Sequence, residues 1–416
     1  MGQVSIWSSC VCRKASVSSS IAREMPLKIC FVSHSANTGG AERVLLETIE
    51  VLSSEGVLCF VVLPSVGPLC GELDARNVPY VIITYPMWMA RGKISVLRKF
   101  KAALNLTKDT LIVAHHIRRL RSDLVYSNSI TVCVGAFASW LVGCRHVWQI
   151  HEFGEEDQGL TFLFGPRCST WLINHLSSLC ICVSNAVARK FSQFIHPSKI
   201  RVIYPSMHHA LFPNSLRRPS RCLDSDGPFR CLLVGALIEG KGQRDAIQAI
   251  SDLKQRGVRV ELLLAGEGDS GYRRVLEGLV DSEGVHKEIR FLGFVSDVAS
   301  LIQSVDAVLV CSRSEAFGRV TIESMLSGKP LIGAGTAATA ELIQDGVTGL
   351  LYRPGDHRAL ADKIVQLQRS PELRRQLAEE AASWALQRFS AGRYRDELLG
   401  CIRPLVNHGV ECKSDR

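Results

Sequence analysis

Residues 306–328 read DAVLVCSRSEAFGRVTIESMLSG, and this stretch decides the fold. Its opening, DAVLVC (306–311), is short and almost continuously apolar, which suits a parallel strand buried on both faces. From 320 to 326 the apolar residues recur at helical intervals. The segment therefore reads as strand, turn and helix, with Glu315 on the turn and Glu323 one to two turns into the helix. An ionised carboxylate presents two acceptor oxygens. Glu323 can hold both hydroxyls of a ribose diol, and Glu315 can accept from the hydroxyls of a second sugar. Between them, the N–H groups near Phe317, Gly318 and Arg319 open a helix whose N-terminus favours an anion such as a diphosphate. The plain alternative is two solvated glutamates on a surface helix, so the rest of the chain has to decide.

The chain has 416 residues, 46% of them hydrophobic, which is enough apolar material for two cores of ordinary domain size. A net charge of +9, from 49 basic and 40 acidic residues, favours anionic partners without making nucleic acid the leading one. Nucleotide phosphates or an anionic membrane surface would satisfy it equally well. The apolar stretch 130–144 is broken by Thr131, Gly135, Ser139 and Gly143 and falls short of the ~20 residues that span a bilayer, so it is expected to be a buried helix. No basic-then-apolar signal peptide opens the chain, and a cytoplasmic location is expected. The myristoylation pattern wants Ser or Thr where this chain has Ile6. Fifteen cysteines, odd in number and mostly inside apolar runs, read as buried free thiols. Cys10-x-Cys12 and Cys180-x-Cys182 lack zinc-site spacing, and no metal is expected.

Working outward, residues 1–25 are serine-rich and weakly patterned and read as a flexible leader, with Met25 an alternative start. From 26 to 205, short apolar runs at 29–32, 58–63, 80–83, 124–126, 147–150, 179–183 and 200–203 alternate with helical patterns such as 41–54. Residues 206–228 cluster His, Pro, Ser and Arg and read as a linker. A second alternating series has apolar runs at 231–234, 262–265, 289–292, 307–310 and 330–332, filling a domain at 229–385 before a helical tail at 386–416. The architecture expected is α/β, two Rossmann-like doubly wound parallel-sheet domains facing a cleft. Ligands of such sheets bind at the carboxyl ends of the strands.

Four further motifs fall at such ends. Ser35-Ala-Asn-Thr-Gly39-Gly40-Ala-Glu42-Arg43 follows the first strand, and its glycines let backbone approach a phosphate, although it is not G-x-G-x-x-G. Gly240-Lys241-Gly242-Gln243-Arg244 follows the first strand of the second domain and presents an ammonium to a diphosphate, without the spacing of a Walker loop. His151, in WQIHEFG, ends an apolar run and can bond a sugar hydroxyl or shuttle a proton. The loop Gly333-Ala-Gly-Thr-Ala337-Ala338-Thr-Ala-Glu341 is built of small residues that leave room for a ligand. A turn, a solvated lysine and a structural histidine are the plain readings of the first three. Asp224-Ser-Asp226 sits in the linker and reads as a turn, and the histidines at 115, 116, 208 and 209 receive no role.

Taken together, GGAER, IHEFG, VGALIEGKGQRDAI, LLLAGEGD, FLGFVSDV, SEAFGRVTIESMLSGKPLIGA and ELIQDGVTGLLYRPGD resemble the family 4 glycosyltransferases of the GT-B fold, over roughly 26–400. The resemblance implies a retaining, metal-independent glycosyltransferase with a UDP- or GDP-sugar donor, no further cofactor, and a glycan, lipid-linked or small-molecule acceptor on the first domain. It implies Glu323 on the donor ribose, Glu315 on the transferred sugar, Lys241 on the diphosphate, Gly40 near the phosphates, His151 facing the sugar, and Gly293 and Phe294 near the base. Two departures stand out. Ala236 occupies a position where the family often carries Arg, leaving Lys241, with Arg244 as a substitute, to supply positive charge; and Ala337-Ala338 replaces a Gly-Gly pair. The basic residues at 91–108 and Arg118, Arg119 and Arg121 match acidic headgroups, as a lipid-linked acceptor would require of a membrane-peripheral enzyme, although a solvated helical face accounts for them more simply. Two other readings stay open: a non-catalytic sugar-nucleotide-binding scaffold of the same fold, and a sugar-nucleotide epimerase.

Overall fold

The computed structural model describes residues 26–92, 95–207 and 227–407. The expected leader 1–25, nearly all of the linker 206–228 with His208, His209 and Asp224-Ser-Asp226, and the end of the tail lie outside the described residues.

The first half supplies β1 (Lys28–Ser33), β2 (Leu58–Leu63), β3 (Tyr80–Ile82), β4 (Met89–Arg91), β5 (Leu124–Asn128), β6 (Arg145–Ile150), β7 (Leu160–Phe162), β8 (Leu179–Cys182) and β9 (Ile200–Val202). The second supplies β10 (Phe229–Val234), β11 (Val260–Ala265), β12 (Ile289–Gly293), β13 (Ala307–Val310), β14 (Leu331–Ala334) and β15 (Leu350–Tyr352). Seven parallel strands in the order β3-β2-β1-β5-β6-β8-β9 form one sheet, and six in the order β12-β11-β10-β13-β14-β15 form the other. The expected pair of doubly wound α/β domains is what the chain builds. AVLV (307–310) and the interior of KICFVS, Ile29 to Val32, are continuously apolar because helices cover both faces of each sheet. The strand order reverses beside β1, between β2 and β5, and beside β10, between β11 and β13. Crevices of this kind are where such sheets bind ligands.

Three strands escape the sequence reading. β4 and β7 pair antiparallel beside the main sheet, and β15 closes the edge of the second. Each is three residues long, and MAR and LTF carry a polar or charged residue that breaks the apolar run. The apolar stretch 130–144 also differs from expectation. Only Val134–Val142 is helical, ending at Gly143 in the left-handed conformation, and Trp140 on its far side is 69% exposed. Among the described residues, no helix is long and apolar enough to cross a membrane. The described cysteines are free thiols, most of them buried.

Residue 385 lies inside the Pro371–Arg388 helix, after which the chain returns to the first domain. In the final helix, Ala391–Asn407, Tyr394, Leu398 and Ile402 are buried among Ile29, Leu45 and Ile49 of the first core. Burial of each such side chain contributes about 1.5–3 kcal/mol. Glu341 adds a polar tie between the halves, accepting from the Asn185 N–H at 3.0 Å, Arg189 at 2.9 Å and the Tyr204 hydroxyl at 2.5 Å.

Candidate active site

The two reversal points face each other across a cleft of about 770 Å³, lined by His34, Gly40 and His151 from the first domain and Lys241, Glu315 and Arg319 from the second. Each arrives at a strand's carboxyl end. His34 follows β1, His151 follows β6, and Lys241 lies in a single 3-10 turn, Glu239–Lys241, shortly after β10. Gly242 then turns the chain at φ +71°, and a Cβ there would stand 2.1 Å from the Cys311 carbonyl oxygen, so only glycine fits. Glu315 lies on the turn between β13 and the Arg319–Leu326 helix, as its sequence context predicts.

Lys241 Nζ donates to Glu315 Oε2 at 2.8 Å, and the Glu315 side chain is 18% exposed. Burial pushes this carboxyl up. Lys241, the Ser312 hydroxyl and the Gly318 N–H outweigh it, so that Glu315 titrates below its ordinary range and is ionised. Its other lone pairs are available to hydroxyl donors, while the ammonium beside it attracts an anion.

Across the cleft, the Asn128 side-chain nitrogen donates to the Ala41 carbonyl at 3.0 Å, leaving Asn128 Oδ1 to accept from His151 Nε2 at 2.8 Å. His151 therefore carries its proton on Nε2. Burial above all, then His34 and Arg319, lowers its pKa to about 3, so the ring is neutral and Nδ1 can accept a hydrogen bond. Glu152 accepts from the Ser129 hydroxyl, from the Ile130 N–H at 3.0 Å and from the His151 N–H at 3.1 Å. Burial raises its pKa, against the lowering effect of Ser129. His34 Nε2 is 3.2 Å from Glu42 Oε1, which also accepts from Ser35 Oγ at 2.6 Å.

Glu323 is not in this cleft. It lines an adjoining cavity of about 460 Å³ with Thr38, Glu47 and Asp297, and Arg319 lines both spaces. Phe317 and Gly318 line the larger one. Arg244 is exposed and lines neither. Gly293 ends β12 and Phe294 is 72% exposed, and neither lines either cavity. Ala337 and Ala338 likewise line neither cavity, although the Ala338 N–H donates to the Glu315 carbonyl at 3.0 Å. The sequence reading left three cleft groups without a role, His34, Glu42 and Glu152, and also Asn128, which is buried behind His151. His34 follows an apolar strand just as His151 does and was findable by that signal; Asn128 and Glu152 act through partners that no spacing reveals.

Residues 38–210 match the Glycosyltransferase Family 4 profile, and residues 223–384 match Glycosyl transferases group 1. The chain belongs to the family 4 glycosyltransferases. This GT-B chain is 35% identical over 174 residues to the putative glycosyltransferase EpsD of Bacillus subtilis, and 32% identical over 176 residues to the alpha-D-kanosaminyltransferase of Streptomyces kanamyceticus. Each match takes in 42% of the family 4 chain and 45% of the relative, so less than half the length of these curated relatives is spanned. The crystal structure of Anabaena HepE in complex with UDP and glucose superimposes with a TM-score of 0.74 at 25% identity, covering 91% of this glycosyltransferase chain and 99% of HepE.

Proposed function

We propose that the protein is a retaining hexosyltransferase that moves a sugar from a UDP- or GDP-sugar to a hydroxyl of a glycan, lipid-linked or small-molecule acceptor. The observation that carries this reading is the Lys241–Glu315 pair, an ionised carboxylate and an ammonium 2.8 Å apart where two facing sheets reverse their strand order. Family membership supports the reaction class, and the likeness to HepE, solved with UDP and glucose, supports the donor class. In the reaction the acceptor oxygen bonds to the anomeric carbon, the bond from that carbon to the diphosphate oxygen breaks, and the acceptor proton leaves with the nucleoside diphosphate or to solvent. Glu315 orients the transferred sugar, Lys241 neutralises the departing diphosphate, Gly40 and the helix opening at Phe317, Gly318 and Arg319 approach its oxygens, and Glu323 holds the ribose. Neutral His151 accepts from a hydroxyl of the transferred sugar. With this charge compensation in place, transfer needs no metal. The exposed Lys101, Lys108, Arg118 and Arg119 support contact with an anionic membrane when the acceptor is lipid-linked.

The test is transfer from a panel of UDP- and GDP-sugars to polyol, glycan and lipid-linked acceptors, with and without EDTA, and with the anomeric configuration of the product read by NMR. Wild type should transfer with retention in EDTA, and Glu315→Ala should lose at least ~100-fold in kcat/KM, as expected when a charged hydrogen bond to the reacting sugar is removed. Unchanged activity in Glu315→Ala would sink the assignment.

A further inference from the structure

Arg319 occupies a position that the donor would have to cross. It opens the Arg319–Leu326 helix of the second domain and reaches to the first, where Nη2 is 3.0 Å from Glu47 Oε1 on the Gly40–Ser53 helix. Its Cδ is 3.7 Å from where a Cβ would sit on Gly40. Nε stands 3.8 Å from Glu323 Oε1, beyond hydrogen-bond length. Nε and Nη1 are both buried and neither makes a hydrogen bond in the structure. A buried guanidinium with donors to spare is costly unless a further acceptor arrives.

The same side chain lines both cavities and so stands between Glu315 in one and Glu323 in the other. A nucleotide sugar with its hexose at Glu315 and its ribose at Glu323 must pass its diphosphate by Arg319. The local charge balance also needs this cation. Ala236 brings no positive side chain to its loop, Arg244 is exposed and lines neither cavity, and Lys241 is already paired with Glu315. Resting on the nucleotide-sugar reading above, we propose that Arg319 is the residue that grips the donor diphosphate, exchanging Glu47 for the phosphate oxygens when the donor enters. Its planar fork suits two phosphate oxygens at once, which the Lys241 ammonium cannot match. Glu47 competes for the same guanidinium, so the inter-domain ion pair opposes donor entry and its release accompanies binding.

Calorimetric titration with UDP and GDP, and with uridine and guanosine, separates this from a structural role. Arg319→Gln is expected to weaken binding of the preferred diphosphate by about tenfold or more, the size of one charge-assisted pair, and to leave nucleoside binding within about twofold. Arg319→Lys should recover part of the loss. Glu47→Gln, which keeps the shape and removes the competing charge, should tighten diphosphate binding several-fold and leave nucleoside binding alone. Diphosphate binding equal to wild type in Arg319→Gln, a parallel loss of nucleoside binding, or weakened diphosphate binding in Glu47→Gln would each overturn the proposal. If wild type binds neither diphosphate, the nucleotide-sugar reading itself fails and takes this inference with it. If wild type binds one and Arg319→Gln binds it equally, only this inference fails.

Discussion

Lys241 Nζ and Glu315 Oε2 lie 2.8 Å apart although 74 residues separate them, and the contact joins the loop after β10 to the loop after β13. Because Glu315 titrates below its ordinary range in the folded protein, it contributes stability at pH values above the usual carboxylate pKa of about 4.3, and that contribution is lost as pH falls through the lower folded value. Lys241→Met leaves a largely buried carboxylate without its cation. It should cost about 1–3 kcal/mol at neutral pH, between the values for exposed and fully buried pairs because both groups keep some solvent contact. Below about pH 4 the penalty should shrink, since protonated Glu315 no longer needs the ammonium. Urea unfolding of both proteins at pH 7 and pH 4 reads the two slopes, and parallel slopes would contradict the pairing.

His151 and His146 are both buried and neutral, each with its pKa lowered to about 3 by burial, with His34 and Arg319 lowering His151 further. Unfolding restores an ordinary pKa of about 6.5, so the unfolded chain binds the extra protons. Stability is therefore complete above about pH 6.5 and is lost progressively as pH falls from there towards the folded values. Replacing His146, which bonds Ser127 Oγ at 2.8 Å, by Gln should flatten the loss of denaturant midpoint between pH 7 and pH 5 relative to wild type. The same scan on His151→Asn should flatten it by a similar amount.

Strand positions were legible because parallel strands covered on both faces are nearly pure Val, Ile, Leu and Cys, as in 58–63 and 307–310. The turn bearing Glu315 and the helix bearing Glu323 followed from one stretch of sequence. What sequence could not supply was the distribution of those groups in space. Glu323 faces a different cavity from Glu315 because Arg319, one helical turn before it, reaches across to Glu47 of the other domain. Glu47 itself lies in LLETIEVL, where it reads as an ordinary helix carboxylate, and only the meeting of two domains gives it a partner. Arg244, three residues after Lys241, is exposed although Gln243 and Asp245 on either side of it in the Gln243–Gln255 helix are buried, a difference that sequence spacing does not reveal.

Ala337 holds φ +48°, a left-handed conformation that an L side chain adopts at a cost of roughly 1–2 kcal/mol. Next to it, the Ala338 N–H donates to the Glu315 carbonyl at 3.0 Å, so this backbone geometry supports the glutamate turn. Ala337→Gly should relieve the strain and, after the greater freedom of the unfolded glycine is set against it, stabilise by about 0.5–1 kcal/mol. Gly242→Ala should do the reverse and cost more than about 3 kcal/mol, because its Cβ would collide with the Cys311 carbonyl. Thermal unfolding of the two variants beside wild type is sufficient, and a destabilised Ala337→Gly would refute the strain.

Tyr394 carries the final helix back to the first domain. Thr48 Oγ1 donates to the Val44 carbonyl at 2.7 Å, so at 2.7 Å from the tyrosine it accepts, and the Tyr394 hydroxyl in turn accepts from Gln149 Nε2 at 3.4 Å. Tyr394→Phe removes that donor but leaves Thr48 bonded to Val44, so the expected loss is only about 1 kcal/mol. Leu398→Ala opens a cavity among Ile29, Leu45 and Ile49 and should cost about 3 kcal/mol. Because this helix belongs to the first core while the chain before it belongs to the second domain, Leu398→Ala should also lower the unfolding midpoint of the first domain, followed by the fluorescence of buried Trp88 and Trp148. A tail resting loosely on the surface would leave that midpoint where it is.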